Sequence, residues 1–361
     1  MLGPVKRIVP APVKRSLKSS VSAVVGRSDL AARVQDLAGA VAGLRDDHDR
    51  LVRSSTDTDL VRRVDELREA VDLLRAWVFE LQPDVLAPSE PAGRVLADLL
   101  ARHGVDAARL DMGVSKNDVM FQYLAREFVS RGRGIDWAFV KYVFSGLHMF
   151  QVLDAFAARK FGSVRAVPAL LDFGSGYGRL TRHLVLALDP ARVWVSDIKD
   201  RAVAFQRRRF RVHGFPSTAV PDDLAVTERF DLIFVGSLFS HLPEAAFDRW
   251  LGRLWDLLTP TGLLVFSVHD ASLIDAAVAE FTYRAVSEEG AAPTADGSLD
   301  PARYGNAYVT ESFVRRAIDR HLPAAGPCAR YPLGLWNLQD VYAVARDRSD
   351  LSGLSLPKPV L

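Results

Sequence analysis

The chain has 361 residues, 49% of them apolar, and a net charge of only +2. That length suits two units of ordinary size with a sizeable core, and so even a charge gives no case for a general nucleic-acid binder. The lone cysteine, Cys328, excludes an intrachain disulfide and a cysteine-cluster metal site. No apolar run approaches the roughly 20 residues of a membrane span. The N-terminus lacks the apolar core and cleavage site of a signal peptide. A cytoplasmic protein in a reducing compartment is expected.

Residues 1–27 form a basic leader. Lys6, Arg7, Lys14, Arg15, Lys18 and Arg27 occur there without an acid. Such a leader is either a solvated tail or a peripheral contact with the anionic inner face of a membrane. Residues 28–82 carry heptads. Leu30, Val34, Leu37, Val41, Leu44, His48 and Leu51 alternate steps of four and three, and Leu60 to Leu81 repeat the pattern. This is the seam of a coiled coil, which predicts a homo-oligomer. The blocks stand nine residues apart, so the seam shifts phase or the chain turns back as a hairpin.

Residues 83–135 read as a linker and helical lid. "RVLADLLARHG" is a helix stopping at Gly104. "NDVMFQYLAREF" is a helix capped by Asn117 or Asp118 and stopping near Gly132. "DWAFVKYVFSGLHMFQVLDAFAARKFG" reads as two helices broken at Ser145-Gly146. From there the period changes, over residues 136–348. "PALLDF", "RVWVS", "FDLIFVG", "GLLVFSV" and "LQDVYAVAR" read as strands. "GRLTRHLVLAL", "RAVAFQRRRFRVHG", "EAAFDRWLGRLWDLL" and "TESFVRRAIDRHL" read as helices. Strands separated by helices predict an α/β, doubly wound sheet. Ser287–Pro301 is an exposed loop, and 349–361 is a tail.

The stretch "LLDFGSGYGRL" carries the chemistry. A strand ends at Asp172, glycines follow, and a helix starts near Gly178. Helix-start N–H groups and the helix dipole favour a carboxylate or phosphate there. Gly174 and Gly176 permit a tight turn and a close ligand. A dinucleotide fingerprint would need a third glycine at position 179, which is Arg179, so a nicotinamide dehydrogenase is disfavoured. A phosphate loop would need G-K-S/T, which is absent. One strand later Asp197 stands 19 residues after Gly178. An acid at a strand tip can accept both ribose hydroxyls of a nucleoside, with Ile198 beside it expected on the adenine face; the alternative is that Asp197 only caps the following helix.

The runs D-F-G-S-G-Y-G, V-S-D-I and F-D-L-I-F-V-G-S-L-F-S-H-L-P resemble class I S-adenosylmethionine-dependent methyltransferases over about Ala169 to Arg346. The resemblance implies a Rossmann-like methyltransferase sheet with S-adenosyl-L-methionine as cofactor. By position, Asp172, Gly174, Ser175, Gly176 and Gly178 line its methionine part and Asp197 binds the ribose. Asp222, in "STAVPDD", is expected near the adenine. Ser237 and Leu238, in the acceptor-side segment that ends "SHLP", are expected to contact the cofactor as well. "YVTESFVRRAI", "WNLQDVYAVAR" and the lead-in with Tyr142, Ser145 and Gly146 resemble members found with glycan-building enzymes, and those three residues are expected to cover the cofactor. A methyltransferase acting on a small-molecule or carbohydrate hydroxyl is expected, with His241 as general base. Its alternative is a histidine that only caps "PEAAF" or holds a backbone carbonyl. His269 and Asp270 are a second candidate pair, read as structural for want of a third metal ligand. His148 and Tyr142 are core or lid residues, and Trp250 and Trp255 packing residues. A competing reading makes the chain a coiled-coil adaptor with a non-catalytic methyltransferase-like domain.

Overall fold

The computed structural model describes residues 82–274, 280–285 and 304–360. The basic leader, the heptad segment as far as residue 81 and the Ser287–Pro301 loop lie outside them. Two short strands, β1 (Val85–Leu86) and β2 (Val114–Ser115), pair antiparallel and flank helix α1 (Glu90–Ala101). Helices α2 (Val119–Ser130) and α3 (Asp136–Phe161) follow. Asp118 is the α2 cap, its carboxylate accepting the Phe121 N–H at 3.0 Å. That carboxylate meets the otherwise unpaired first-turn amide.

The main layer then builds in chain order. It comprises β3 (Leu170–Phe173), α4 (Thr181–Ala187), β4 (Val193–Asp197), α5 (Asp200–Phe210), β5 (His213–Pro216) and β6 (Phe230–Val235). After these come α6 (Glu244–Asp256), β7 (Leu258–Asp270), β8 (Phe281–Ala285), β9 (Gly305–Val309), α7 (Glu311–His321), β10 (Ala329–Leu335) and β11 (Gln339–Ala345). The strand order is β5-β4-β3-β6-β7-β11-β10. The first five run parallel, while β11 is antiparallel to both its neighbours. The β8–β9 hairpin extends the far end of β7, where His269 and Asp270 pair with Tyr308 and Val309.

Both faces of the sheet are covered, which is why its strands are continuous apolar runs. Leu170, Leu232, Phe234, Leu263, Val265, Val341 and Ala343 face one core with Leu153, Phe156, Leu184 and Phe210. Their neighbours Leu171, Ile233, Val235, Leu264, Phe266 and Tyr342 face the other, against Phe247, Trp250, Trp255 and Phe313. The period-2 alternation of a strand sorts the side chains between the layers. Trp250 and Trp255 are packing residues, as read. Among the described residues no helix is long and apolar enough to cross a membrane.

One expectation fails. Helix α3 does not break at Ser145-Gly146 but runs unbroken for 26 residues. Glycine costs a helix interior about 1 kcal/mol, yet here it serves a close approach. A Cβ on Gly146 would stand 2.1 Å from the Arg179 carbonyl oxygen. The missing side chain lets α3 lie directly against the segment that follows the glycine loop. Within the unbroken helix the Ser145 hydroxyl donates back to the Tyr142 carbonyl at 2.8 Å.

Candidate active site

The order of β3, β4 and β6 reverses the direction of winding at β3. Ligands of open α/β sheets bind in the crevice at the carboxyl ends of strands beside such a point. The glycine loop leaves β3 there. Gly174, Gly176 and Gly178 have φ of 75°, 56° and 87°, the left-handed region that favours glycine. Their surroundings differ. A Cβ on Gly174 would touch Leu238 at 3.4 Å, and one on Gly178 would stand 2.5 Å from Phe210, whereas one on Gly176 would meet nothing within 4 Å. Gly176 therefore opens onto the crevice, while Gly178 is required for packing against α5.

The amides of this loop are not bare. The Gly174 and Ser175 N–H groups donate to the Ser196 carbonyl at 2.8 and 3.0 Å, and that of Gly178 to the Ser175 carbonyl at 3.2 Å. The Gly176 N–H donates to Asp197 Oδ2 at 2.8 Å. Helix α4 begins at Thr181 rather than near Gly178. The expectation of an N–H-rich helix start is thus corrected: the loop is a self-bonded cradle.

Asp197 bonds in two directions. Besides the Gly176 N–H, its Oδ1 accepts the Lys199 N–H at 3.0 Å. Each carboxylate oxygen keeps a further lone pair for a ligand. Burial raises its pKa against those hydrogen bonds. Ile198 beside it is 39% exposed, an apolar side chain at the crevice rim. Asp172 is buried beneath the loop, its Oδ2 3.3 Å from the Thr181 hydroxyl. Burial lifts its pKa from 3.8 to about 7. Gln206 of α5 completes this layer, donating to Ser175 Oγ at 2.8 Å and the Gly176 carbonyl at 2.7 Å. Sequence reading missed Gln206. Its signal was position: a polar residue on the buried stripe of Ala202, Val203 and Phe210.

Asp222 lies apart from this group. It sits on a one-turn helix, Pro221–Asp223, and its exposed carboxylate pairs with Arg249 of α6 at 2.5 Å. The segment adjoining Asp197 begins instead at Ser217, whose N–H donates to the Asp197 carbonyl at 2.9 Å.

The segment after β6 closes the crevice from the other side. Ser237 takes a left-handed φ of 63°. Its N–H donates to Ser267 Oγ at 2.8 Å, and its hydroxyl accepts from Gln339 Nε2 at 2.8 Å. This bonding aims Leu238 at Gly174. His241 is fixed by β9: its Nδ1 lies 2.7 Å from the Gly305 carbonyl, and the Gly305 N–H returns a 3.0 Å bond to the His241 carbonyl. A carbonyl only accepts, so Nδ1 carries the proton and Nε2 keeps its lone pair. Burial lowers the His241 pKa, which keeps the ring neutral at pH 7. Tyr304 stacks on it at 4.7 Å, and burial, with the charge of Asp197 second, raises the Tyr304 pKa.

His269 and Asp270 part company. His269 Nε2 lies 3.2 Å from Gln339 Nε2, its ring stacks on Tyr308 at 5.4 Å, and burial takes its pKa to about 4. Asp270 instead pairs with Arg330 at 2.9 Å. Both are held in the structure by separate partners.

The lid residues meet the loop from α2 and α3. The fully buried Tyr142 hydroxyl donates to Asp118 at 2.5 Å. His148 accepts the Trp336 N–H at Nδ1 and donates from Nε2 to the Pro357 carbonyl, at 3.2 and 2.9 Å. Both are core and lid residues, as read.

The Rossmann-like sheet, the glycine loop and the acid at the next strand tip thus meet at one crevice. Residues 171–264, which hold the loop, the acid and most of the parallel strands, match the family model described as a methyltransferase domain. That segment of the chain thus carries a methyltransferase domain. The chain is similar to an S-adenosylmethionine-dependent methyltransferase from Clostridium acetobutylicum ATCC 824, at 12% identity over 54% of this chain and 91% of that one, TM-score 0.38. It is also similar to the plantazolicin methyltransferase BamL, at 13% identity over 64% and 96%, TM-score 0.41. A third similar structure is the glycopeptide N-methyltransferase MtfA with S-adenosyl-L-homocysteine, at 16% identity over 54% and 89%, TM-score 0.40. No curated protein matches the chain.

Proposed function

We propose that the enzyme methylates a hydroxyl of a small-molecule or glycan acceptor, with His241 taking the proton. When bound, S-adenosylmethionine supplies a methyl group already activated by a sulfonium. The chain's own work is to bind, align and dry the site. Asp197 takes the ribose hydroxyls on its remaining lone pairs, and Ile198 lies against the adenine. Gly174, Ser175, Gly176, Gly178 and the buried Asp172 shape the wall for the amino-acid end. Ser237 and Leu238 separate that wall from the acceptor. His241 Nε2 accepts the acceptor's proton as its oxygen attacks.

The observation that carries this reading is the Nδ1–Gly305 bond of 2.7 Å. It holds a neutral imidazole with its basic nitrogen free of the backbone, the state a general base needs. The test is transfer of radiolabelled methyl into fractionated cell extract, with sugars and lipid-linked glycans first. Label in a methyl ether, lost about a hundredfold or more in His241→Ala with cofactor affinity kept, is the expected result. Label on nitrogen, or unchanged turnover in the variant, refutes the hydroxyl acceptor or the base.

A further inference from the structure

Gln339 opens β11 and is 2% exposed, yet it has no part in the roles above. The register that sets Asp340 opposite Val268 brings it alongside His269 of β7. Ser267 and His269 stand two residues apart, so both point to one side of that strand. The Gln339 amide closes a ring there. The Ser237 N–H donates to Ser267 Oγ at 2.8 Å, the Ser267 hydroxyl to Gln339 Oε1 at 2.7 Å, and Gln339 Nε2 to Ser237 Oγ at 2.8 Å.

The second N–H of the amide faces His269 Nε2 at 3.2 Å, with Ser240 Oγ farther off at 3.4 Å. An amide nitrogen only donates, so His269 Nε2 is the bare nitrogen and the ring proton sits on Nδ1. A donor aimed at that nitrogen opposes a second proton, which keeps the ring neutral. His241 stands beside it, ring centroids 6.0 Å apart, and the two rings oppose each other's charge. An imidazolium in the place of His269 would therefore make His241 a weaker base. The other groups of this row are turned elsewhere. Asp270 and Asp340 pair with Arg330, Arg284 of β8 lies over the Tyr308 ring at 5.6 Å, and Tyr308 and Tyr304 stack on His269 and His241.

The ring of hydrogen bonds also accounts for the backbone of Ser237. A left-handed φ of 63° at a residue other than glycine persists only where its neighbours over-determine it. Ser237 is held at its N–H and Oγ by the ring and at its carbonyl by the Ser240 hydroxyl, at 3.0 Å. That leaves the Ser237 hydroxyl proton. The nearby Ser240 Oγ is 3.5 Å away, long for an O–H···O bond, so the proton is available to a bound molecule.

We propose that Gln339 is the positioning residue of the acceptor side: its amide locks the Ser237 turn, leaving that hydroxyl proton for the acceptor, and holds His269 in the form protonated on Nδ1. Both roles rest on the reading of His241 as base and of this segment as the acceptor side.

The test uses Gln339→Glu and Gln339→Met. Glutamate keeps the shape and reverses the bonds: a carboxylate accepts where the amide donated, so His269 brings a proton on Nε2 and Ser237 turns its own proton inward. Methionine fills the space without the bonds. The full chain, 15N-labelled at histidine and saturated with S-adenosyl-L-homocysteine, is read at pH 7 by two-bond 1H–15N correlation, with His269→Asn identifying the signal. Wild type shows a neutral His269 protonated on Nδ1, and Gln339→Glu shows it protonated on Nε2. In both Gln339 variants, kcat for labelled methyl transfer into the acceptor fraction falls about tenfold or more, the scale of a lost hydrogen bond, with S-adenosyl-L-homocysteine affinity kept. A proton on His269 Nε2 in wild type, or the wild-type tautomer in Gln339→Glu, overturns the inference. So does a loss of S-adenosyl-L-homocysteine affinity that matches the loss of kcat in Gln339→Met, which marks a merely structural glutamine. Absence of transfer by wild type removes the proposed function alone, because the tautomer still decides the hold of Gln339 on His269.

Discussion

Replacing Asp172 by asparagine isolates the electrostatic cost of the site. Asp172 is 2% exposed, and the Thr181 hydroxyl beside it has one proton for two neighbours. That hydroxyl lies 2.6 Å from Gln206 Oε1 and 3.3 Å from Asp172 Oδ2. The shorter contact takes the proton. A protonated Asp172 then donates to Thr181, Thr181 to Gln206, and Gln206 to Ser175 and Gly176, an unbroken chain under the glycine loop. An ionised Asp172 breaks it at the first link. The folded pKa of about 7 stands above the ordinary 3.8, so the folded state holds more protons between those values. Stability is fully present below about pH 4 and is lost as pH rises towards 7. At about 1.4 kcal/mol per pH unit, the gap from 3.8 to about 7 amounts to a ceiling of about 4 kcal/mol. The side-chain amide of an asparagine in this place would donate to Thr181 without a charge. Urea unfolding of wild type and Asp172→Asn at pH 5 and pH 8 reads the difference directly. The variant should gain on wild type by a few kcal/mol more at pH 8 than at pH 5. A wild-type-to-variant gap that is the same at both pH values refutes a raised Asp172.

Gly146→Ala should destabilise the fold by about 1–3 kcal/mol, the cost of overpacking, because its methyl would run into the Arg179 carbonyl at 2.1 Å. A urea midpoint equal to wild type would disprove the close approach of α3. Deletion of residues 1–81 should give a smaller assembly by light scattering, with S-adenosyl-L-homocysteine affinity retained. An unchanged assembly size removes the coiled coil as the source of oligomers.

The sheet was legible because parallel strands buried on both faces leave runs such as "FDLIFVG" and "GLLVFSV" that few other structures tolerate. The glycine loop was legible for a related reason: three left-handed turns in five positions leave little choice of residue. Several features escaped. Strand β5, His213–Pro216, is short and half-exposed at the sheet edge, so its residues carry no apolar signature. The α3 break was inferred from Ser145-Gly146 by local propensity, but tertiary contact with Arg179 decides that position. The partners of His241 come from Gly305 and Tyr304, 64 residues on for the hydrogen bond, and no spacing rule spans such a distance. Gln339 stood in the sequence only as the second residue of "LQDVYAVAR". Its bonds to Ser237, Ser267 and His269 are visible only once β7, β11 and the segment after β6 meet.

Asp197 is the residue on which the grip on the nucleoside depends. Equilibrium dialysis of radiolabelled S-adenosylmethionine against wild type and Asp197→Ala measures that grip. Wild type should bind saturably, and the variant should bind about a hundredfold or more weakly through loss of two hydrogen bonds to a charged group, with thermal unfolding preserved. Equal binding by the two proteins, or no binding by wild type, would contradict that dependence.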